Sequence, residues 1–214
     1  MRRQRLAACG LALAGALVLA APASSEDWTD AQGRLMFSIP ARGGWATEGA
    51  ARELRGPDGQ SAGVSITVSN ANDRCHFQSQ ARGGAEASVA NIRRAYGAAL
   101  PDTYWAEIGP LAANLVGLDQ PTPATFQGAA VDTSGFWPIN RATYAVGDYT
   151  VHVTVQGRPD RELRSYCHTW EPGAEPNTAA YDAFVASIAT PRDAEWRARF
   201  EAEQAAAAPQ PEAQ

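Results

Sequence analysis

Tyr149-Thr150-Val151-His152-Val153-Thr154-Val155 alternates apolar and polar side chains for seven residues, and five of the seven are β-branched. That alternation fits a pleated strand with one face buried, and it excludes a helix over the same stretch. Gly147-Asp148 precedes it and Gly157-Arg158-Pro159-Asp160 follows, both strong turn signals. Ala142–Val146 and Leu163–Trp170 then become its antiparallel neighbours. The expected centre of the fold is a three-stranded meander whose last strand carries Cys167.

The rest of the chain supplies strands and helices to pack on that centre. Arg34–Pro40 reads as a strand stopped by proline, Ala51–Arg55 as a short strand, Val64–Asn70 as an alternating strand and Ala124–Asp132 as another. A helix is expected over 85–100, with Val89, Ile92 and Tyr96 on one face and Pro101 at its end. A second is expected over 178–189, capped by Asn177 and carrying Tyr181, Phe184, Val185 and Ile188 as a stripe. Asp102–Pro123 reads as an ordered connection with at most one short element. Ser24–Gln32 reads as a loose lead-in. The fold class is therefore α+β, an antiparallel sheet of about six or seven strands with helices packed on its faces. The domain is expected over 32–191. Residues 192–214 follow as a helix-prone segment that ends in Ala, Pro, Gln and Glu only.

Residues 1–23 read as a cleavable signal. Arg2, Arg3 and Arg5 precede an uncharged Leu/Ala run, and Ala21-Pro22-Ala23 offers small residues at a cleavage site. The expected location is periplasmic or secreted, the alternative being a membrane anchor by the uncleaved signal. Without that segment the chain keeps 15 of its 18 basic residues, all arginine, against 23 acids, a net charge of −8. Such a balance excludes the basic patch that nucleic acid requires and polybasic attachment to anionic lipid. No stable membrane insertion is expected after cleavage.

Of the three cysteines, Cys9 leaves with the signal and Cys75 and Cys167 remain, an expected disulfide in an exported chain. The alternative is a zinc site from Cys75, His76, Cys167 and His168. Neighbouring strand residues point to opposite faces, so that site requires a broken strand. No nucleophile elbow, zinc-protease helix, phosphate loop or dinucleotide fingerprint occurs, so no catalytic residue and no cofactor is assigned. Arg164, Tyr166, His168 and Trp170 share one strand face, either as a ligand-contacting surface or under a helix. Phe136-Trp137-Pro138 places two aromatics in a loop, either as an exposed binding anchor or folded back as a plug.

Arg34-Leu35-Met36-Phe37-Ser38-Ile39-Pro40 followed by Trp45 resembles the opening phenylalanine–serine–apolar–proline…tryptophan strand of PsbP-like and Mog1-like domains. The strand–turn–strand ending and the helix Tyr181–Ile188 are similar to theirs, so the resemblance spans about 32–191. It implies an antiparallel sheet sandwiched by helices, and an accessory or binding role. The expected function is thus a non-catalytic exported binding or accessory protein, its partner an unidentified protein or small ligand of the cell envelope. The alternatives are a hydrolase with an unrecognised active site and the metal-binding reading above.

Overall fold

A computed structural model describes residues 25–207; the signal segment and the last seven residues of the tail lie outside the described residues. The strands are β1 (Glu26–Thr29), β2 (Met36–Ile39), β3 (Ala46–Thr47), β4 (Arg52–Arg55), β5 (Ser61–Ser69), β6 (Asp73–Ala81), β7 (Ala124–Asp132), β8 (Ile139–Val146), β9 (Tyr149–Gly157) and β10 (Arg161–Thr169). The helices are α1 (Val89–Tyr96), α2 (Asp102–Val116), α3 (Thr178–Ser187) and α4 (Asp193–Ala207). Eight strands form one antiparallel sheet, in the order β3-β5-β6-β10-β9-β8-β7 with β4 also on β5. β1 and β2 form a separate hairpin. The meander β8-β9-β10 sits in the middle, as its alternation predicts.

Helices cover both faces of this sheet. On one, α3 and β2 bury Phe37, Trp45, Val64, Ile66, Phe77, Leu163 and Phe184. On the other, α1, α2 and α4 bury Ile92, Trp105, Ile108, Trp137, Tyr144, Val151, Val153, Val155 and Trp196. Alternate positions of β10 thus serve different cores, Tyr166 on one face and Leu163 and Cys167 on the other, whereas β9 gives its valines to one core and polar side chains to the other face.

Four readings change. Cys75-His76-Phe77 belongs to a full strand, β6, which pairs β5 and β10. Its mixed Asp-Arg-Cys-His-Phe-Gln composition hides a strand whose alternate residues Cys75, Phe77 and Ser79 are all buried. The lead-in contains β1, stapled to β2 by Trp28 stacking on Phe37 at 5.1 Å. Asp102–Pro123 contains a fifteen-residue helix that continues through Pro110. The folded unit also runs past Pro191, because α4 delivers Trp196 to the core at 0 % exposure. α4 is held by Arg158, buried beside it, which donates to Asp193 at 2.9 Å. Burial pulls the Arg158 pKa down to about 10 against the opposing pull of Asp193, so the guanidinium is still charged at neutral pH.

Cys75 and Cys167 are directly paired across β6 and β10, and their sulfurs are bonded at 2.09 Å. The link joins residues 92 apart in sequence, a loop for which chain entropy gives roughly 4–5 kcal/mol.

Candidate functional site

The α2 side of the sheet is divided in two. Over β7, β8 and β9 it is apolar and covered by helices. Over β5, β6 and β10 it is polar, and α2 only borders it. In-register pairing sets Ser65 beside Gln78 and Arg164, Thr67 beside His76 and Tyr166, and Ser69 beside Arg74 and His168. This is a three-by-three patch of side chains on one face, of which only Tyr166 belongs to the hydrophobic core. A concavity lies on each side of α2.

The first is an apolar groove of about 760 Å³ between α2, the return loop 117–123 and the start of β7. α2 starts after Pro101 and ends at Gly117, whose φ of 74° turns the chain back in a left-handed conformation that favours glycine. Its buried face is Trp105, Ile108, Gly109 and Ala112. A Cβ on Gly109 would meet the Tyr144 ring at 3.5 Å, an ordinary van der Waals contact, so the helix rests on β8 at a spacing that an alanine could also keep. The Tyr144 hydroxyl donates to the Trp105 carbonyl at 2.7 Å, tying the helix to the sheet. Phe126 stacks on Trp105 with centroids 6.3 Å apart and meets Tyr144 edge-on at 5.6 Å. Phe126 stays 41 % exposed and Leu118 36 %. The groove walls contain no charged side chain; Asn114, Gln120 and Thr122 are the polar groups with flexible reach.

The second is a polar cleft of about 470 Å³ on the opposite side of α2. Its floor is the patch of Ser65, Thr67, Arg74, His76, Gln78 and His168, and its walls are Glu48, Arg52 and Leu54 on one side and Asn114 and Leu115 on the other. Asn114 and Gly117 border both concavities. His76 Nδ1 lies 2.9 Å from Thr67 Oγ1, and its Nε2 lies 3.2 Å from the Gln78 amide. Burial, then the charges of Arg74 and Arg52, lower the His76 pKa to about 4. His168 Nδ1 bonds its neighbour's carbonyl at Thr169 at 2.8 Å, and burial lowers its pKa too. Both rings are therefore neutral at pH 7. A histidine with so low a pKa is a weak base for the Thr67 hydroxyl.

The structure brings Arg164, Tyr166, His168 and Trp170 to one face, but not into one contact surface. Arg164 donates to Glu162 at 2.5 Å, and Glu162 also accepts from the Tyr96 and Tyr104 hydroxyls. Tyr166 is buried under the helices, His168 lines the cleft, and Trp170 projects at the rim, 41 % exposed, with the Arg74 guanidinium 5.0 Å over its ring. Phe136 and Trp137 lie apart from both concavities. Trp137 is 7 % exposed, edge-on to Trp196 at 6.2 Å and under Arg158 at 4.6 Å. Phe136 packs on Phe200 at 5.8 Å. The loop is a plug, not an exposed anchor.

The four-residue zinc arrangement does not assemble. The two sulfurs are bonded to each other on the α3 side, while His76 and His168 lie on the α2 side. His152 lies on the α3 side, near Tyr181. Ser165 Oγ is bonded to Thr154 at 2.6 Å on that same face, away from His168.

No protein-family model matches the chain, and no curated protein sequence does. Among solved structures it is similar to the solution structure of cyanobacterial PsbP (CyanoP) from Synechocystis sp. PCC 6803, with a TM-score of 0.51 and 12 % identity. The match covers 86 % of this chain and 98 % of that one. The fold is PsbP-like. At this identity the likeness speaks for architecture alone. In this PsbP-like sandwich the residues that build the groove, and those of the cleft other than His76 and His168, escaped sequence reasoning. Trp105 and Phe126 were too far apart to be read as a pair. Arg74, His76 and Gln78 do alternate along β6, a signal visible only once that strand is recognised.

Proposed function

We propose that this is an exported, non-catalytic binding protein, and that its ligand is a small uncharged apolar molecule seated in the groove beside α2. The observation that carries the reading is the groove itself. It has a ligand-sized volume, two large apolar side chains left half in water, and no charged group on its walls. A charged ligand would lose its hydration there without a partner. Export is supported by the Cys75–Cys167 disulfide and by the segment 1–23. Among the described residues no helix is long and apolar enough to cross a membrane.

Two measurements test it. N-phenyl-1-naphthylamine, an uncharged apolar fluorophore, is expected to bind the purified protein and brighten, and Ala113→Trp, which fills the groove, is expected to abolish this. Absence of binding, or binding that Ala113→Trp leaves intact, refutes the groove. The intact mass of the exported protein separately checks cleavage after Ala23; retention of residues 1–23, or a lipid on Cys9, refutes it.

A further inference from the structure

The apolar groove beside α2 is long, and its two ends differ. On the helix its wall recurs at Trp105, Gly109, Ala113 and Gly117, four residues apart. At 1.5 Å of rise per residue that run spans about 18 Å. The facing wall travels antiparallel to the helix. Gly117 turns the chain back, Ala124 lies 3.7 Å from where a Cβ on Gly109 would stand, and Phe126 reaches Trp105 with ring centroids 6.3 Å apart. Two walls that stay side by side over such a distance enclose a trough. The Trp105 end of this trough is bounded by the rings of Trp105, Phe126 and Tyr144, and the Tyr144 hydroxyl is already donated to the Trp105 carbonyl. The Gly117 end carries the side-chain amides of Asn114 and Gln120, both on exposed residues. Each amide offers donors and an acceptor without a charge.

We infer that the groove holds one linear hydrocarbon chain with an uncharged hydrogen-bonding head, the chemistry of a fatty alcohol. The chain end lies against Trp105 and Phe126, and the head lies between Asn114 and Gln120. This ligand rests on the apolar-groove reading above and narrows it. A chain laid along the trough covers both the exposed Phe126 ring at one end and Leu118 at the other, and every methylene it buries adds to affinity. A compact ring system would leave one end of the trough in water. A carboxylate or ammonium head meets no countercharge on these walls and would lose hydration without a partner. A hydroxyl head exchanges its water for the two amides at little net cost.

Displacement of N-phenyl-1-naphthylamine from the full exported protein by primary alcohols decides it. Affinity is expected to rise about threefold with each methylene added to 1-hexanol, and to level off once the extended chain is longer than about 18 Å. Cyclododecanol, which has the carbon count of 1-dodecanol closed into a ring, is expected to bind at least about tenfold more weakly than 1-dodecanol. Dodecanoate, with a charged head on the same chain length, is expected to do the same. Asn114→Ala combined with Gln120→Ala is expected to weaken 1-dodecanol about fivefold while naphthylamine binding stays unchanged. Both residues are exposed, so this variant keeps the fold. The linear chain is overturned, with the groove still standing, if naphthylamine binds and Ala113→Trp abolishes it but alcohol affinity does not follow chain length. It is overturned equally if cyclododecanol or dodecanoate matches 1-dodecanol, or if the double variant binds 1-dodecanol like the parent. If naphthylamine itself fails to bind, the groove reading falls and the linear chain falls with it.

Discussion

Two aromatic pairs sit on the same face of the sheet and meet opposite fates. Phe136 and Trp137 are neighbours in a loop, the kind of placement that suggests an exposed anchor. Yet Trp137 is closed over by Trp196 and Arg158, and Phe136 by Phe200. Trp105 and Phe126 come from a helix and a strand, and no element covers Phe126. The difference lies in which pair α4 reaches. Adjacency in sequence says that two rings must be accommodated; it does not say whether water or a distant helix accommodates them. Exposure is decided by the element that arrives last in the chain.

The strongest way to break this contrast is to remove the cover. Trp196→Ala deletes a fully buried ring and is expected to cost about 4 kcal/mol of folding stability, read by denaturant unfolding. Next comes Trp137→Ala, expected to cost about 3 kcal/mol while leaving naphthylamine binding unchanged, because the plug and the groove are separate. A stability loss of less than about 1 kcal/mol in either variant would mean the loop is not a plug.

Acidification probes the polar half of the same face. His76 titrates near 4 when folded and near 6.5 when unfolded. As pH falls from about 6.5 the unfolded chain therefore takes up the proton first, and stability is lost until the pH reaches the folded value. Chemical denaturation at pH 7 and pH 5 should differ by about 2 kcal/mol from His76, with His168 adding loss of the same sign. His76→Gln should flatten its share of that slope. A profile unchanged by His76→Gln would show that the ring is solvated after all.

The open pair gives the smaller stability effects. Phe126→Ala should cost only about 1 kcal/mol, since its ring is 41 % exposed, yet weaken naphthylamine at least about tenfold. A large stability loss with unchanged probe binding would move Phe126 from groove wall to core. Truncation after Phe200 is expected to shift stability by less than about 0.5 kcal/mol, because residues 201–207 are all exposed. Its melting temperature checks that Trp196 and Phe200 are the last anchors of α4.

Much of the scaffold was legible in the chain alone. The β9 alternation with its flanking turns defined the meander, and the apolar stripe Tyr181–Ile188 defined α3. Two cysteines left after removal of the signal implied their pairing. These are local or counting properties, and local backbone preference or stoichiometry is enough to set them. β6 was missed because its polar face carries Arg74, His76 and Gln78, which belong to a cleft and interrupt the apolar pattern. α2 was missed because Pro110 reads as a break, although Tyr144 and the sheet hold the helix through it.

The sequence by itself determined an α+β chain with a central meander, one disulfide and no recognisable catalytic motif. Only the tertiary structure decided which aromatics face water and which charges pair. Glu48 and Arg74 lie 26 residues apart, and Trp105 meets Phe126 only because Gly117 turns the chain back against the helix. Such meetings depend on long-range packing, whose cost in chain entropy is met by the whole core and not by the residues that meet. No local pattern records them.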